Sequence, residues 1–558
     1  MIRYLCKQRA KIAKKRSKDH LLNYLSKDKK YNYHNRIKKQ AEHNKISLIM
    51  PPRRLWVRPS CKKRYRKGSK MNSIDKNALA MLLTIKKHIN EKTEYNYLKE
   101  LNIFIDDISK SINGKTFKFR YPQIRPEPKD RGGTICRPIA SFRLKDNLIN
   151  CLTNKYLVHY LDDLFYENSF AFRAERYFGD EKRVPTHHDA FKKIVDYLNK
   201  NVEKKIYVAE CDMKKFYDTV NHKIVTKQFR NLCLKLLFKK KCDIRAKILF
   251  KRYLQCYNFN EIVLSLNSDK EYWERHKIKD GSFEWVKNEI DEKYKNKDLS
   301  FIGIPQGGAL SGLIANIVLD YADKKIMKLM DNDILYVRYC DDMIMMHTDK
   351  KKCGIALKAY MKALTKLKLF PHKITDVKYS KDFWKSKSKG PYEWSNDEVP
   401  WVGFVGYEIN RNGEIRIRKR SLKKERNKQK ELVEGVINAI SHDKIKVSKN
   451  TVIESTYRRL NGMAVGRVEL WNYTNYENDM CWAKGFNLLN NNKYSRIQVR
   501  SLDRSKNMYL AKLFKTLGKI DDSNIKKINK KSNKQHIYYG KPFSYFYQVI
   551  EKKGDPTL

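Results

Sequence analysis

Three aspartates at two distant places carry the strongest chemical signal in the chain. Asp341 and Asp342 interrupt the run Tyr336-Val337-Arg338-Tyr339-Cys340-Asp341-Asp342-Met343-Ile344-Met345-Met346, whose apolar and aromatic flanks fit two short strands meeting at a tip. Two like charges there repel, and a divalent cation would neutralise them. Hard cations such as Mg2+ take a few carboxylate oxygens together with substrate phosphates. Taken alone, the pair reads more readily as a polar turn between strands. Upstream, Lys205-Ile206-Tyr207-Val208-Ala209-Glu210-Cys211-Asp212 is an alternating strand ending on an aspartate, and Met213 to His222 turns from it into a helix. A carboxylate at a strand end can meet those of a second strand across a sheet. Tyr217, five residues on, could lie under a nucleotide's sugar. His222 has no second His or Cys at ligand spacing, so a helix-cap or solvent-facing role fits it better than zinc binding.

Two loops offer phosphate and substrate contacts. Arg125 to Ile139 forms a hairpin turned at Gly132-Gly133 with basic residues on both arms, so Arg137, with Arg131 or Lys129 opposite, could grip a triphosphate; an ordinary basic hairpin fits as well. Gly303-Ile304-Pro305-Gln306-Gly307-Gly308-Ala309-Leu310-Ser311-Gly312 precedes a helix over 313–330, and its glycines let backbone approach a substrate closely. It lacks the lysine and spacing of a P-loop.

The elements that must hold these groups belong to a long, strongly basic, globular chain. Its 558 residues are 41% hydrophobic, enough for a real core and several packed units, and 120 Lys and Arg against 62 Asp and Glu give a net charge of +58. A polyanion partner follows, nucleic acid before a membrane surface. Part of the lysine excess matches the coding bias of an AT-rich genome. No apolar run spans a membrane and the N-terminus has no signal-peptide stretch, so a soluble cytoplasmic protein is expected. The 11 scattered cysteines form no Cys-x-x-Cys, which disfavours structural zinc and a disulfide framework.

Along the chain, residues 1–75 carry dense basic stretches, Lys7 to Lys18 and Arg53 to Lys70, interleaved with Trp56 and Tyr65, an arm suited to RNA or a solvated tail. A helix is expected from Ser73 to Asn102. Residues 230–300 are charged, with helical patches and no evident chemistry. Trp401 to Ile409 and Ile415 to Lys419 form a hairpin with one basic strand, Ser421 to His442 is a basic helix, and the remainder is partly helical, with tyrosines at 494, 509, 538, 539, 545 and 547.

The order of these motifs resembles the reverse transcriptases. Asp212 with Phe216-Tyr217-Asp218 resembles their first palm motif, and Gly303 to Gly308 with Ser311 and Asn316 their second. Tyr339-Cys340-Asp341-Asp342 is similar to their Tyr-x-Asp-Asp box, Lys373 falls where they keep a lysine after the palm helix, and Phe404-Val405-Gly406-Tyr407 resembles the primer grip. Arg137-Pro138-Ile139 and Ser169-Phe170-Ala171-Phe172-Arg173 resemble fingers motifs. The resemblance covers about residues 120–420. It departs at Ser311-Gly312-Leu313, where the family usually has Ser-Pro-Leu, and at Ala171, in place of a common glycine.

The resemblance implies an α+β right-hand polymerase fold: fingers (76–203), a palm with an antiparallel sheet and a fingers insertion (204–420), and a helical thumb (421–500). A basic N-terminal extension (1–75) and a helical C-terminal extension (501–558) flank them. It implies two Mg2+ ions, or Mn2+ in their place, on Asp212, Asp341 and Asp342, with Asp341 bridging both and Asp342 contributing less directly. Lys373 would protonate the pyrophosphate leaving group, and Tyr217 would exclude a ribose 2'-hydroxyl. Gln306 and Gly307 would line the templating pair, and Arg137 with Arg131 would hold the triphosphate. The implied partners are an RNA template, dNTPs and a DNA product.

The primer-grip residues with Gly413 to Lys419 and the C-terminal extension resemble bacterial anti-phage reverse transcriptases, the abortive-infection group included. A structured non-coding RNA as template and a homo-oligomer are expected from that branch. A retron-like or intron-type reverse transcriptase and a template-independent or protein-primed (tyrosine-primed) DNA polymerase are the alternatives, with an RNA-synthesising polymerase and a non-catalytic RNA scaffold behind them. Asn438-Ala439-Ile440-Ser441-His442 spells a retron motif, but after the primer grip rather than before the second palm motif.

Overall fold

A computed structural model describes residues 1–12, 45–57, 73–91, 94–114, 116–129, 133–286, 290, 299, 301–329, 331, 333–375, 381–397, 399–441, 448–464, 485–519 and 543–545. Much of the basic arm, Arg131 on the hairpin, His442, and Tyr538, Tyr539 and Tyr547 lie outside the described residues. The chain divides into two compact units, one of residues 107–405 with 409–413, the other of 1–106, 406–408 and 414–558.

The first unit is built on a five-stranded sheet in the order Leu335–Tyr339, Asp342–His347, Tyr207–Cys211, Ser388–Glu393, Ile374–Thr375. All neighbours are antiparallel except the last pair. The hairpin strands are buried along nearly their whole length. This is why their sequence is a continuous apolar run rather than an alternation. The helix Lys350–Lys366 lies along the three inner strands, and the helix Ser311–Met327 packs against it. Residues 311–320 of Ser311–Met327 are all buried, and that stretch is accordingly apolar on nearly every face.

A second, three-stranded sheet joins Gln123–Pro128 and Ile135–Ser141 as the expected hairpin and adds Ser282–Phe283 in parallel, with Cys136 opposite Phe283. That third strand comes from the span in which the sequence shows no chemistry. It is tied down by polar and close apolar contacts. The Asn267 amide donates to the Phe283 carbonyl and accepts from its N–H, at 2.9 and 2.7 Å. The Tyr272 hydroxyl donates to the carbonyl of Ile124 at 3.2 Å. Trp273 lies on Gly281 so closely that a Cβ there would fall 2.0 Å from the ring.

In the second unit the helices Lys419–Ser441, Lys449–Ala464 and Lys493–Gly518 share a core of Val433, Val436, Ile440, Val452, Leu460, Leu510, Leu513 and Leu517. The Gln498 amide brackets Ile417, accepting from its N–H and donating to its carbonyl, both at 2.8 Å, which fastens the strand Ile415–Ile417 to the last helix. Trp56, expected in an arm suited to RNA or a solvated tail, is engaged inside the chain: its indole N–H donates to the Pro51 carbonyl and the Arg9 guanidinium lies 5.2 Å over its ring. Among the described residues no helix is long and apolar enough to cross a membrane. The described cysteines are all free and, except Cys151, buried.

Candidate active site

The sheet register brings the aspartates to one edge. Cys211 pairs with Met343 and Tyr339 with Asp342, so Asp212, one residue beyond Cys211, comes level with Asp342. Asp341 sits in the two-residue turn, where Cys340 adopts a left-handed backbone (φ 62°). The Asp341-Asp342 pair thus stands at a turn between strands, as the polar-turn reading has it. Burial raises the Asp341 carboxyl above its ordinary pKa, and the charge of Asp212 raises it further. The two carboxylates thus feel each other.

Several contacts hold the backbone of Asp212. Its N–H donates to the Ser388 hydroxyl at 3.1 Å, and its carbonyl accepts from the N–H of His372 at 2.9 Å. The His372 ring and the Lys387 ammonium each stand 3.9 Å from its carboxylate. Lys373 itself is exposed, just before the strand Ile374–Thr375.

Tyr217 is half-buried, with its hydroxyl 3.0 Å from the Cys340 sulfur and its carbonyl accepting from Ile304 at 2.7 Å. Burial raises the phenol's pKa, so it stays protonated. The Gln306 side-chain amide donates to Asp218 at 2.7 Å, while the backbone carbonyl of Gln306 accepts from the N–H of Ala140 on the basic hairpin at 2.9 Å. Gly307 beside it is exposed with φ 87°, a conformation that glycine adopts freely. Arg137 is exposed on the hairpin strand, and its charge reaches Asp218. Asp218 is buried, and its carboxyl is pushed up to about 6 by burial, against the Gln306 hydrogen bond and the charges of Lys215, Lys129 and Arg137.

His222 is neither solvent-facing nor near a metal-ligand set. Its Nε2–H donates to the Gly303 carbonyl at 2.6 Å, and burial lowers its pKa, so the neutral ring serves to pin the glycine loop. Among the described residues no group of three or more His, Cys, Asp or Glu side chains converges closely enough to hold a metal ion. The carboxylates at this edge fit a hard cation as a partial ligand set, the kind that substrate phosphates and water complete.

Residues 128–405 match the family model described as reverse transcriptase (RNA-dependent DNA polymerase). The chain carries a reverse transcriptase domain. It is accordingly an RNA-directed DNA polymerase, a nucleotidyltransferase, on the right-hand polymerase fold, and such domains use divalent metal ions. No curated protein matches the chain in sequence. Solved structures that resemble it include a Candida albicans telomerase with a fragment of telomeric RNA, 13% identical over 81% of this chain and 71% of that one, TM-score 0.32. An apo Candida tropicalis telomerase is 13% identical over 79% and 74%, TM-score 0.33. Likeness at that level carries no functional reading.

Packing accounts for the departure at Gly312. A Cβ on Gly312 would stand 2.3 Å from the Phe172 ring, so glycine replaces the usual proline where the fingers motif packs on the helix start. Asn316 knits the same contact, donating to the Ala171 carbonyl at 2.8 Å and accepting from Arg338 at 3.1 Å. Sequence reasoning missed Ser388, His372 and Lys387 around Asp212, and Glu284, whose carboxylate bonds both Lys129 and Lys215. None of them had a local signal, since each is an ordinary polar residue far along the chain from its partner.

Proposed function

We propose that this reverse transcriptase domain polymerises deoxynucleotides with Mg2+ held by Asp212, Asp341 and Asp342, copying an associated structured RNA in anti-phage defence. The observation that carries the catalytic part is the placement of Asp212 level with the Asp341-Asp342 turn, with the Tyr217 hydroxyl against Cys340 of that turn. Bound Mg2+ would supply charge neutralisation at the attacking and leaving oxygens of an in-line displacement. Around that site, Asp341 carries the charge that a cation offsets, and the His372 ring and the Lys387 ammonium stand beside the Asp212 carboxylate. Lys373, on the same stretch as His372, is the donor to the leaving pyrophosphate. Tyr217 presents its ring to the sugar, while Gln306 and Gly307 face the templating pair. Arg137, with Arg131, holds the triphosphate. The C-terminal helical unit serves as thumb.

The defence reading is supported by the resemblance at Phe404 to Tyr407 and Gly413 to Lys419, and by the +58 charge. A cytoplasmic enzyme carrying its own RNA would need such a charge. Purified protein incubated with an RNA template, a primer and either dNTPs or NTPs tests the catalytic part. Metal-dependent dNTP incorporation is expected, with Asp341→Asn lowering it about a thousandfold. Absence of incorporation under every divalent metal tried would refute it. Sequencing the nucleic acid that co-purifies tests the template: a single recurrent RNA is expected, and random cellular RNA counts against the dedicated-RNA reading.

A further inference from the structure

Glu284 lies in the segment between the first and second palm motifs, where the sequence shows no chemistry, yet its carboxylate bonds two lysines that border the nucleotide site. Lys129 contacts Glu284 Oε2 from the basic hairpin, and Lys215 contacts the same oxygen at 2.9 Å from the turn between Asp212 and Tyr217. The strand Ser282–Phe283 delivers Glu284 there by pairing in parallel with Ile135–Ser141, which brings Glu284 level with Arg137. The charges of Lys215, Lys129 and Arg137 all act on Asp218, whose carboxylate accepts from Gln306, so the three cations lie within electrostatic reach of one carboxylate beside the residues assigned to the base pair and the triphosphate.

We propose that Lys129 and Lys215 form an anion cradle for the polyphosphate of the incoming nucleotide, and that Glu284 occupies this cradle until the nucleotide displaces it. The inference rests on the polymerase reading above. Two ammonium groups converging on one carboxylate oxygen match how a phosphate oxygen is gripped. Glu284 is suited to leave: its side chain is 41% exposed, whereas that of Lys215 is 18% exposed and so stays in place. Lys129 and Lys215 push the Glu284 carboxyl down to about 2, so it remains an anion at any working pH. A triphosphate carries more charge than one carboxylate and can engage both lysines and Arg137 together. Glu284 therefore lowers the apparent affinity for nucleotide and keeps the lysines from repelling each other in the empty site.

Calorimetric titration with inorganic tripolyphosphate, without metal or turnover, tests the cradle alone. Glu284→Gln is expected to tighten tripolyphosphate binding about three- to tenfold, and Lys215→Gln to weaken it about tenfold. Glu284→Ala, which adds no new hydrogen-bonding group, should move in the same direction as Glu284→Gln. The nucleotide KM in primer extension should fall in both Glu284 variants. Unchanged or weaker binding in both, with the folded spectrum intact, overturns the proposal even if the wild-type chain polymerises dNTPs. Tighter binding in a chain that incorporates no nucleotide would instead leave the cradle standing and refute the polymerase reading.

Discussion

Arg338 and Asp323 form a fully buried, two-point ion pair at the foot of the Asp341-Asp342 turn. Arg338 Nε and Nη2 reach the two oxygens of Asp323 at 2.8 and 2.6 Å, and neither side chain has exposed surface. The remaining Arg338 donor reaches the Cys340 carbonyl at 2.9 Å and the Asn316 oxygen at 3.1 Å, while the Tyr336 hydroxyl donates to Asp323 at 2.6 Å. Every strong group of the pair is thus satisfied. Its reach to Cys340 offsets the cost of the left-handed turn that aims Asp341.

Removing one partner leaves an uncompensated buried charge. Asp323→Asn or Arg338→Met should cost about 3–5 kcal/mol in denaturant unfolding. Joining Arg338→Met with Asp323→Leu should cost clearly less than the sum of the two single changes, since no orphan charge is left. Additive losses would mean that the pair contributes little as a unit.

Asp218 makes stability depend on pH in a definite sense. Its carboxyl stands near 6 in the folded chain, against an ordinary value of 3.8, because burial disfavours the charge. Between those values the folded chain keeps a proton that the unfolded chain has released, so stability falls as pH rises through the window. The full deficit, about 3 kcal/mol, is present above pH 6. Asp218→Asn, whose amide oxygen can still accept from Gln306, should be more stable than wild type at pH 7 by about 1–3 kcal/mol, with the gap closing by pH 4. Thermal melts at the two pH values read this directly.

Tyr217 is held at two points, by the Cys340 sulfur at 3.0 Å and by the backbone bond from Ile304. Tyr217→Ala should raise ribonucleotide use relative to deoxynucleotide use by about ten- to a hundredfold in kcat/KM, because the ring no longer meets the 2'-hydroxyl. Cys340→Ala keeps the ring but removes one of its holds, and should give a smaller shift in the same direction. An unchanged ratio in Tyr217→Ala would assign sugar selection to another residue.

Gly312 and Phe172 are matched in volume. Gly312→Ala places a Cβ 2.3 Å from the ring and should destabilise by about 1–3 kcal/mol. Phe172→Ala in the same chain should relieve that clash, so the double variant should lose less than the two single changes summed. The cycle is read by denaturant unfolding.

By itself the sequence determined the chemistry of this protein in outline. Asp212 at a strand end, the Asp341-Asp342 pair in an apolar run and the glycines from 303 to 312 are local patterns, and each reports backbone geometry through residue type alone. Their order along the chain was enough to expect the palm sheet, and the register that sets Asp212 level with Asp342 follows that expectation. Tertiary structure decided what no local pattern encodes. Arg338 reads as one basic residue in a strand until Asp323, fifteen positions away on a helix, is packed against it. Glu284 looks like solvated charge until a two-residue strand, itself held by Asn267 and Trp273, carries it between Lys129 and Lys215. His222, expected at a cap or in solvent, is buried on Gly303 because the loop that covers it arrives from 81 residues downstream. In each case the partner is distant in sequence, and a polar side chain's role depends on which buried group it must satisfy, which packing alone specifies.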